Sequence, residues 1–171
     1  MSADNVIHPD VRIGHVHLSV SDLDRATAFY HDVLGFKIAI NGQAFGLNAV
    51  FLNAGDYHHH IALNTFTTKG AVPPPKGHTG LYHFAILYPN RVQLVDALRR
   101  LAAIDHPIDS AVDHGATIAI YLRDPDNNGI ELSYDLPRSE WVDAQGRPVV
   151  KAVPFDWRTL LVDEIALAGA A

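Results

Sequence analysis

The residues of this chain that could do chemistry are imidazoles and carboxylates. The sequence of 171 residues holds eleven histidines and no cysteine. Any bound metal must therefore be held through nitrogen and oxygen, and thiolate chemistry and disulfides are excluded. Most histidines in a protein are ordinary surface or half-buried groups, so position has to single out those that matter. Three positions stand out. His15 in GHVHLSV and His83 in GLYHFAI each sit in an apolar segment, and Glu131 lies between Ile130 and Leu132 in NGIELSY. A carboxylate on a buried strand needs a partner, since an unpaired buried charge costs on the order of several kcal/mol or more. A metal cation supplies one.

The elements that must position these residues occur twice. Residues 11–20 alternate like a half-buried strand, and Ser21 and Asp22 then offer N-cap oxygens to a helical stretch over 22–34, ended by Gly35. Strand candidates follow at 36–40, 49–52 and 59–66, divided by turn formers such as Asn41-Gly42 and Gly55-Asp56. A Gly/Pro-rich break covers 67–80. The order then restarts with a strand over 81–88, a helix over 91–103 and strands over 108–112, 117–122 and 129–134. The βαβββ unit is thus repeated, in modules 11–67 and 80–136.

His15 and His83 fall at equivalent places in the two first strands, and the last strands superpose with Ala62 as the counterpart of Glu131. Two such modules packed edge to edge curl into a cup lined by their first and last strands, which brings His15, His83 and Glu131 around one centre. The expected fold is α+β, with the two βαβββ modules forming a cup-shaped, half-open mixed β-sheet barrel around a metal site. It comprises a single domain over 1–136 and a C-terminal extension over 137–171.

Bulk composition narrows the partners. A hydrophobic content of 48% supports one real core. The formal charge of −6 and a pI near 5.9 offer no basic face for a nucleic acid. No apolar stretch is long enough to span a bilayer, and the opening MSADNVIHPD lacks a leader pattern. The expectation is a cytoplasmic protein without membrane or nucleic-acid contact.

These segments resemble the vicinal oxygen chelate superfamily, which includes glyoxalases, fosfomycin-modifying enzymes, bleomycin-binding proteins and extradiol ring-cleaving dioxygenases. The resemblance covers about residues 11–136 and rests on GHVHLSVSDLDRATAFYHDVLGF, GLYHFAI and YLRDPDNNGIELSY. It implies that His15, His83 and Glu131 are metal ligands. Glyoxalase-like members carry a further protein ligand at the place held here by Ala62. The chain is more similar to the extradiol members, which bind Fe(II), less often Mn(II), through two histidines and one glutamate. Such a face leaves three adjacent coordination positions open, enough for both oxygens of a catecholate and for O2.

The order His114, Ile120-Tyr121, Asp124-Pro125, Glu131 also resembles the extradiol pattern. It implies that Tyr121 and His114 hydrogen-bond the bound substrate or oxygen. Asn127 departs from that pattern, which prefers Gly or Pro there, although Asn also tolerates turn geometry. The run Tyr57-His58-His59-His60-Ile61-Ala62-Leu63 is similar to the segment carrying the acid/base histidine, which aligns that role with His59. His60 is the alternative, because successive residues of a strand face opposite ways. A near-neutral pKa suits the task.

The implied function is extradiol cleavage of a small aromatic diol with O2, in a homo-oligomer. The alternatives are another metal enzyme of the same scaffold, either a glyoxalase-like isomerase or lyase or a fosfomycin-type transferase, and a non-enzymatic binding protein. The tail over 137–171 holds both tryptophans and a short amphipathic run over 157–165. It is open between packing on the outer sheet, a subunit contact and a cover for the cup. The end, 166–171, is expected to fray.

Overall fold

The structure is a computed structural model that describes residues 6–75 and 77–162. The first strand, β1 (Val16–Ser19), is shorter than the alternation over 11–20 suggests. Its ladder gives the reason. β1 runs parallel to β4 (Ile61–Asn64), and pairing begins at Val16 with Ile61, so residues 11–15 have no strand beside them.

Asp22 caps α1 (Leu23–Ala28) by accepting from the Arg25 amide. The helix widens through Phe29–Val33 and stops at Gly35, whose φ of 88° lies in the region glycine adopts without a Cβ penalty. β2 (Lys37–Asn41) and β3 (Ala49–Asn53) complete a four-stranded sheet of order β1-β4-β3-β2.

The second module repeats this plan with β5 (Phe84–Leu87), α2 (Arg91–Ala103), β6 (Ile108–Asp113), β7 (Thr117–Arg123) and β8 (Gly129–Asp135). Asn90 caps α2 by accepting from Gln93 N, and its apolar stripe buries Leu94, Val95, Leu98 and Leu101. The sheet order is β5-β8-β7-β6-β9. The ladders of the two sheets match residue for residue. His17 pairs with Ala62 in the first, and Ala85 pairs with Glu131 in the second. Both sheets also bulge at one place. Ala39 is skipped where β2 passes Phe51 and Leu52, and Asp109 is skipped where β6 passes Tyr121 and Leu122.

One face of each sheet packs on the helices in a core shared by both modules, with Leu18, Tyr30, Leu52 and Leu63 joined to Leu94, Leu98, Leu122 and Ile130. β1 and β5 are end strands of separate sheets with no ladder between them. Polar contacts clasp the modules instead. Asp126 Oδ1 accepts from Ser21 N at 3.1 Å, from Ser21 Oγ and from Arg25 Nη2 at 2.9 Å. The buried Tyr30 hydroxyl donates to Asp124 Oδ2 at 2.9 Å. Asn127 turns this loop with a φ of 66°, the left-handed conformation that asparagine tolerates.

The tail adds a short α3 (Arg138–Trp141) and then β9 (Val153–Pro154), which pairs with the edge of β6. Leu160 reaches the core. The tail packs against the second sheet, one of the placements open from the sequence. Residues 163–171, with the end of the amphipathic run and the segment expected to fray, lie outside the described residues. Among the described residues no helix is long and apolar enough to cross a membrane.

Candidate metal centre

Alternation along β1 and β5 turns the even residues Val16 and Leu18, and Phe84 and Ile86, toward the helices. The other face carries His17 and Ala85, with Ala62, Phe51, Glu131 and Tyr121 beside them in register. On the second sheet, His83 Nε2 stands 3.0 Å from Glu131 Oε2. Gly129 permits this approach, because a Cβ there would collide with the Tyr82 carbonyl and crowd His83.

The spacing can be tested against what an ion requires. Donors bound at about 2.1 Å and at right angles stand about 3.0 Å apart, so this pair suits adjacent corners of one coordination sphere. His83 Nδ1 is buried and has no hydrogen-bond partner among the described residues, so the contact at Nε2 is what holds the ring's polar edge.

Behind the pair, the Tyr121 hydroxyl lies 2.9 Å from His114 Nε2. The Tyr121 ring packs 5.4 Å from that of His83. Burial first, and then the Glu131 carboxylate, push the Tyr121 phenol up to about 12. His83, Glu131, Tyr121 and His114 thus form one continuous group on the second sheet.

His15 belongs to the first sheet and stands with other partners. Its ring lies 4.4 Å from that of His59, which also packs at 5.2 Å against Phe51. Partial burial first, then His15, His58, His17 and His60, hold the His59 imidazole below its ordinary 6.5. His60 is engaged elsewhere, with its Nδ1 accepting from Ala54 N and its ring against Tyr57.

The expected convergence of His15 with His83 and Glu131 is the point at which the structure differs from the sequence expectation. Among the described residues no three His, Cys, Asp or Glu side chains stand close enough to hold an ion. The physical reason is that the interval between β1 and β5 is set by side-chain packing, not by a ladder. His15 nevertheless opens on one cleft, of about 580 Å³, with Ala85, the ladder neighbour of Glu131.

Two further contacts were not legible in the sequence. Asn64 donates its amide to His17 Nε2 at 2.9 Å and so fixes a second imidazole on the cup face. Lys151, in the tail, contacts His114 through its backbone. An Asn two residues after the Ala62 position and a lone tail lysine carry no periodic signal.

The family model of the Glyoxalase/Bleomycin resistance protein/Dioxygenase superfamily matches residues 12–132. The chain belongs to this superfamily. It is 38% identical over 157 residues to a catechol-2,3-dioxygenase of Bacillus subtilis, covering 91% of this chain and 53% of that protein. It is 32% identical over 126 residues to biphenyl-2,3-diol 1,2-dioxygenase 3 of Rhodococcus globerulus, covering 72% of this chain and 63% of that one. The chain therefore spans between one half and two thirds of the length of these relatives. A glyoxalase/dioxygenase structure from Nostoc punctiforme superposes with a TM-score of 0.61 at 21% identity, over 80% of this chain and all of the other, and shares the superfamily fold. Superfamily membership accounts for the duplicated modules and the open cup; the ligand set has to be argued from the residues themselves.

Proposed function

We propose that this chain is an extradiol dioxygenase that opens the ring of a catechol-type diol with O2. The observation that carries the reading is the His83–Glu131 donor pair backed by Tyr121 and His114, in a chain similar to dioxygenases acting on catechol and biphenyl-2,3-diol. His83 and Glu131, joined by His15 brought in from the first sheet, would hold Fe(II), with Mn(II) as the other ion suited to this donor set. When bound, the ion would supply chelation of the two adjacent diol oxygens and activation of O2.

The protein's own groups do the rest. His59, beside His15, takes the proton released by the diol hydroxyl and returns it as the ring opens. The side chain of Ala62 is too short to ligate, so the first sheet adds no carboxylate at the place equivalent to Glu131. Phe51 forms an apolar wall there, and Tyr121, held by His114, hydrogen-bonds the reacting oxygens. Both atoms of O2 end in the ring-opened product, so no external reductant is consumed.

The test is anaerobic loading with Fe(II), then catechol in air, following O2 uptake and the yellow ring-fission product. Stoichiometric uptake with yellow colour supports the reading. No uptake with catechol, with biphenyl-2,3-diol or with other simple diols overturns it.

A further inference from the structure

Past the end of the superfamily match, the tail reaches the back wall of the candidate site. Lys151 N donates to the His114 carbonyl at 3.1 Å, and the Lys151 carbonyl lies 3.3 Å from His114 Nδ1. The Lys151 ammonium meets Asp113 Oδ2 at 2.8 Å. Its stem packs beside Gly115, where a Cβ would come within 3.3 Å of Lys151 Cγ. β9 continues the contact along Val112 and Asp113, and Arg91 Nη2 donates to the Leu160 carbonyl at 3.2 Å farther on. The segment is a strap fastened on both sides of His114.

That arrangement decides where the protons are. A backbone carbonyl only accepts, so a neutral His114 facing Lys151 O through Nδ1 carries its proton there and leaves Nε2 bare. The bare Nε2 faces the Tyr121 hydroxyl at 2.9 Å, and the Glu131 carboxylate is that hydroxyl's other polar neighbour.

We propose that Lys151 is a positioning residue of this site: its backbone carbonyl fixes the His114 tautomer and thereby turns a bare Nε2 toward Tyr121. The inference rests on the dioxygenase reading for the diol whose turnover reports it.

The test is long-range ¹H–¹⁵N correlation on histidine-labelled protein above the imidazole pKa, with the His114 signals identified by their loss in His114→Gln. Wild type is expected to show the Nδ1–H tautomer. Lys151→Ala, at a half-exposed side chain whose loss leaves the core intact, is expected to give mixed tautomers. It should also lower kcat for the diol roughly tenfold with a smaller change in KM, the usual size of an outer-shell effect. Lys151→Arg, which keeps the ion pair to Asp113, should restore both. In a His114→Gln background, Lys151→Ala should cost nothing more. An Nε2–H tautomer in wild type overturns the proposal, as does an equal Lys151→Ala loss with and without His114. If no diol is cleaved while the Nδ1–H tautomer is present and shifts in Lys151→Ala, the dioxygenase reading falls and the positioning role stands.

Discussion

Ala62 stands beside His17 in the first sheet as Glu131 stands beside Ala85 in the second, and His17 and Ala85 lie two residues after His15 and His83. The two positions are equivalent, and only one carries a donor. Ala62 is fully buried between its ladder partners His17 and Phe51. Ala62→Glu would add a ligand where a dioxygenase needs an open coordination position. It is expected to keep or tighten metal binding while nearly abolishing ring cleavage. Overpacking can cost about 1–3 kcal/mol, so Ala62→Leu, of similar bulk and unable to ligate, separates strain from ligation. Metal content and turnover are measured side by side. A metal-replete Ala62→Glu with near wild-type turnover would show that this position does not face the ion.

The three proposed ligands differ in what they lose by truncation. His83→Ala and Glu131→Ala each break the 3.0 Å contact, and His15→Ala removes the donor on the facing strand. Each is expected to drop metal occupancy well below about one ion per chain. His8→Ala and His31→Ala, away from the cup, should leave occupancy unchanged. Elemental analysis after dialysis reads this directly. Full occupancy in all three ligand variants would remove the basis of the metal reading.

His59 and His60 are adjacent in sequence and held differently. His59 packs on His15 and Phe51, and His60 is occupied by Ala54 N and Tyr57. His59→Ala is expected to retain metal and lose roughly 10²–10⁴ in kcat, the usual general acid/base contribution. His60→Ala should stay within a few-fold of wild type. Steady-state kinetics on the two metal-loaded variants decides between them, and the reverse pattern would move the role to His60.

The clasp between modules predicts an alkaline signature. The Tyr30 phenol is raised well above its ordinary 10.0, by burial first and then by the Asp124 carboxylate it donates to. A raised folded-state pKa contributes stability that is fully present below the unfolded value. That contribution is lost as pH rises past it toward the folded value. Tyr30→Phe, which deletes this hydrogen bond to a buried carboxylate, is expected to cost about 1.5–3 kcal/mol at neutral pH. The gap to wild type should narrow above about pH 10. Urea melts across that range measure it, and a constant gap would mean that Tyr30 ionises no differently in the folded protein.

The parts of this molecule legible in its sequence are those with local periodicity. The apolar stripe of α2 and the Asn90 cap give its bounds, and the restart after the 67–80 break gives the duplication. What escaped depends on distant partners. Residues 11–15 alternate like the rest of the first strand, yet β4 has no residues to pair with them. Ser21 and Asp126 look like a helix cap and a turn residue, and they meet only because the two modules dock. The strand at β9 is too short to carry a pattern of its own and exists because β6 offers an edge. Similarly, the separation of His15 from His83 depends on how two sheets pack without a ladder between them, which no spacing along the chain encodes.

The bulges of β2 and β6 bear on the ancestry of the chain. An extra residue in a ladder unpairs a peptide and re-aims the strand, and such irregularities persist within families once acquired. Here the slip falls opposite Phe51-Leu52 in one half and opposite Tyr121-Leu122 in the other, positions that also share partners at Ala62 and Glu131. One insertion in a single βαβββ ancestor explains both; two separate insertions at the same peptide are a coincidence. That ancestor, half the present length, would have closed a cup only by pairing with a second copy of itself, under two-fold symmetry. Fusion of the two copies released each half from obeying the other. Phe51 at the place of Tyr121, and Ala62 at the place of Glu131, are then where a symmetric pocket became a lopsided one, with the carboxylate and the phenol on one wall and apolar side chains at the matching places of the other.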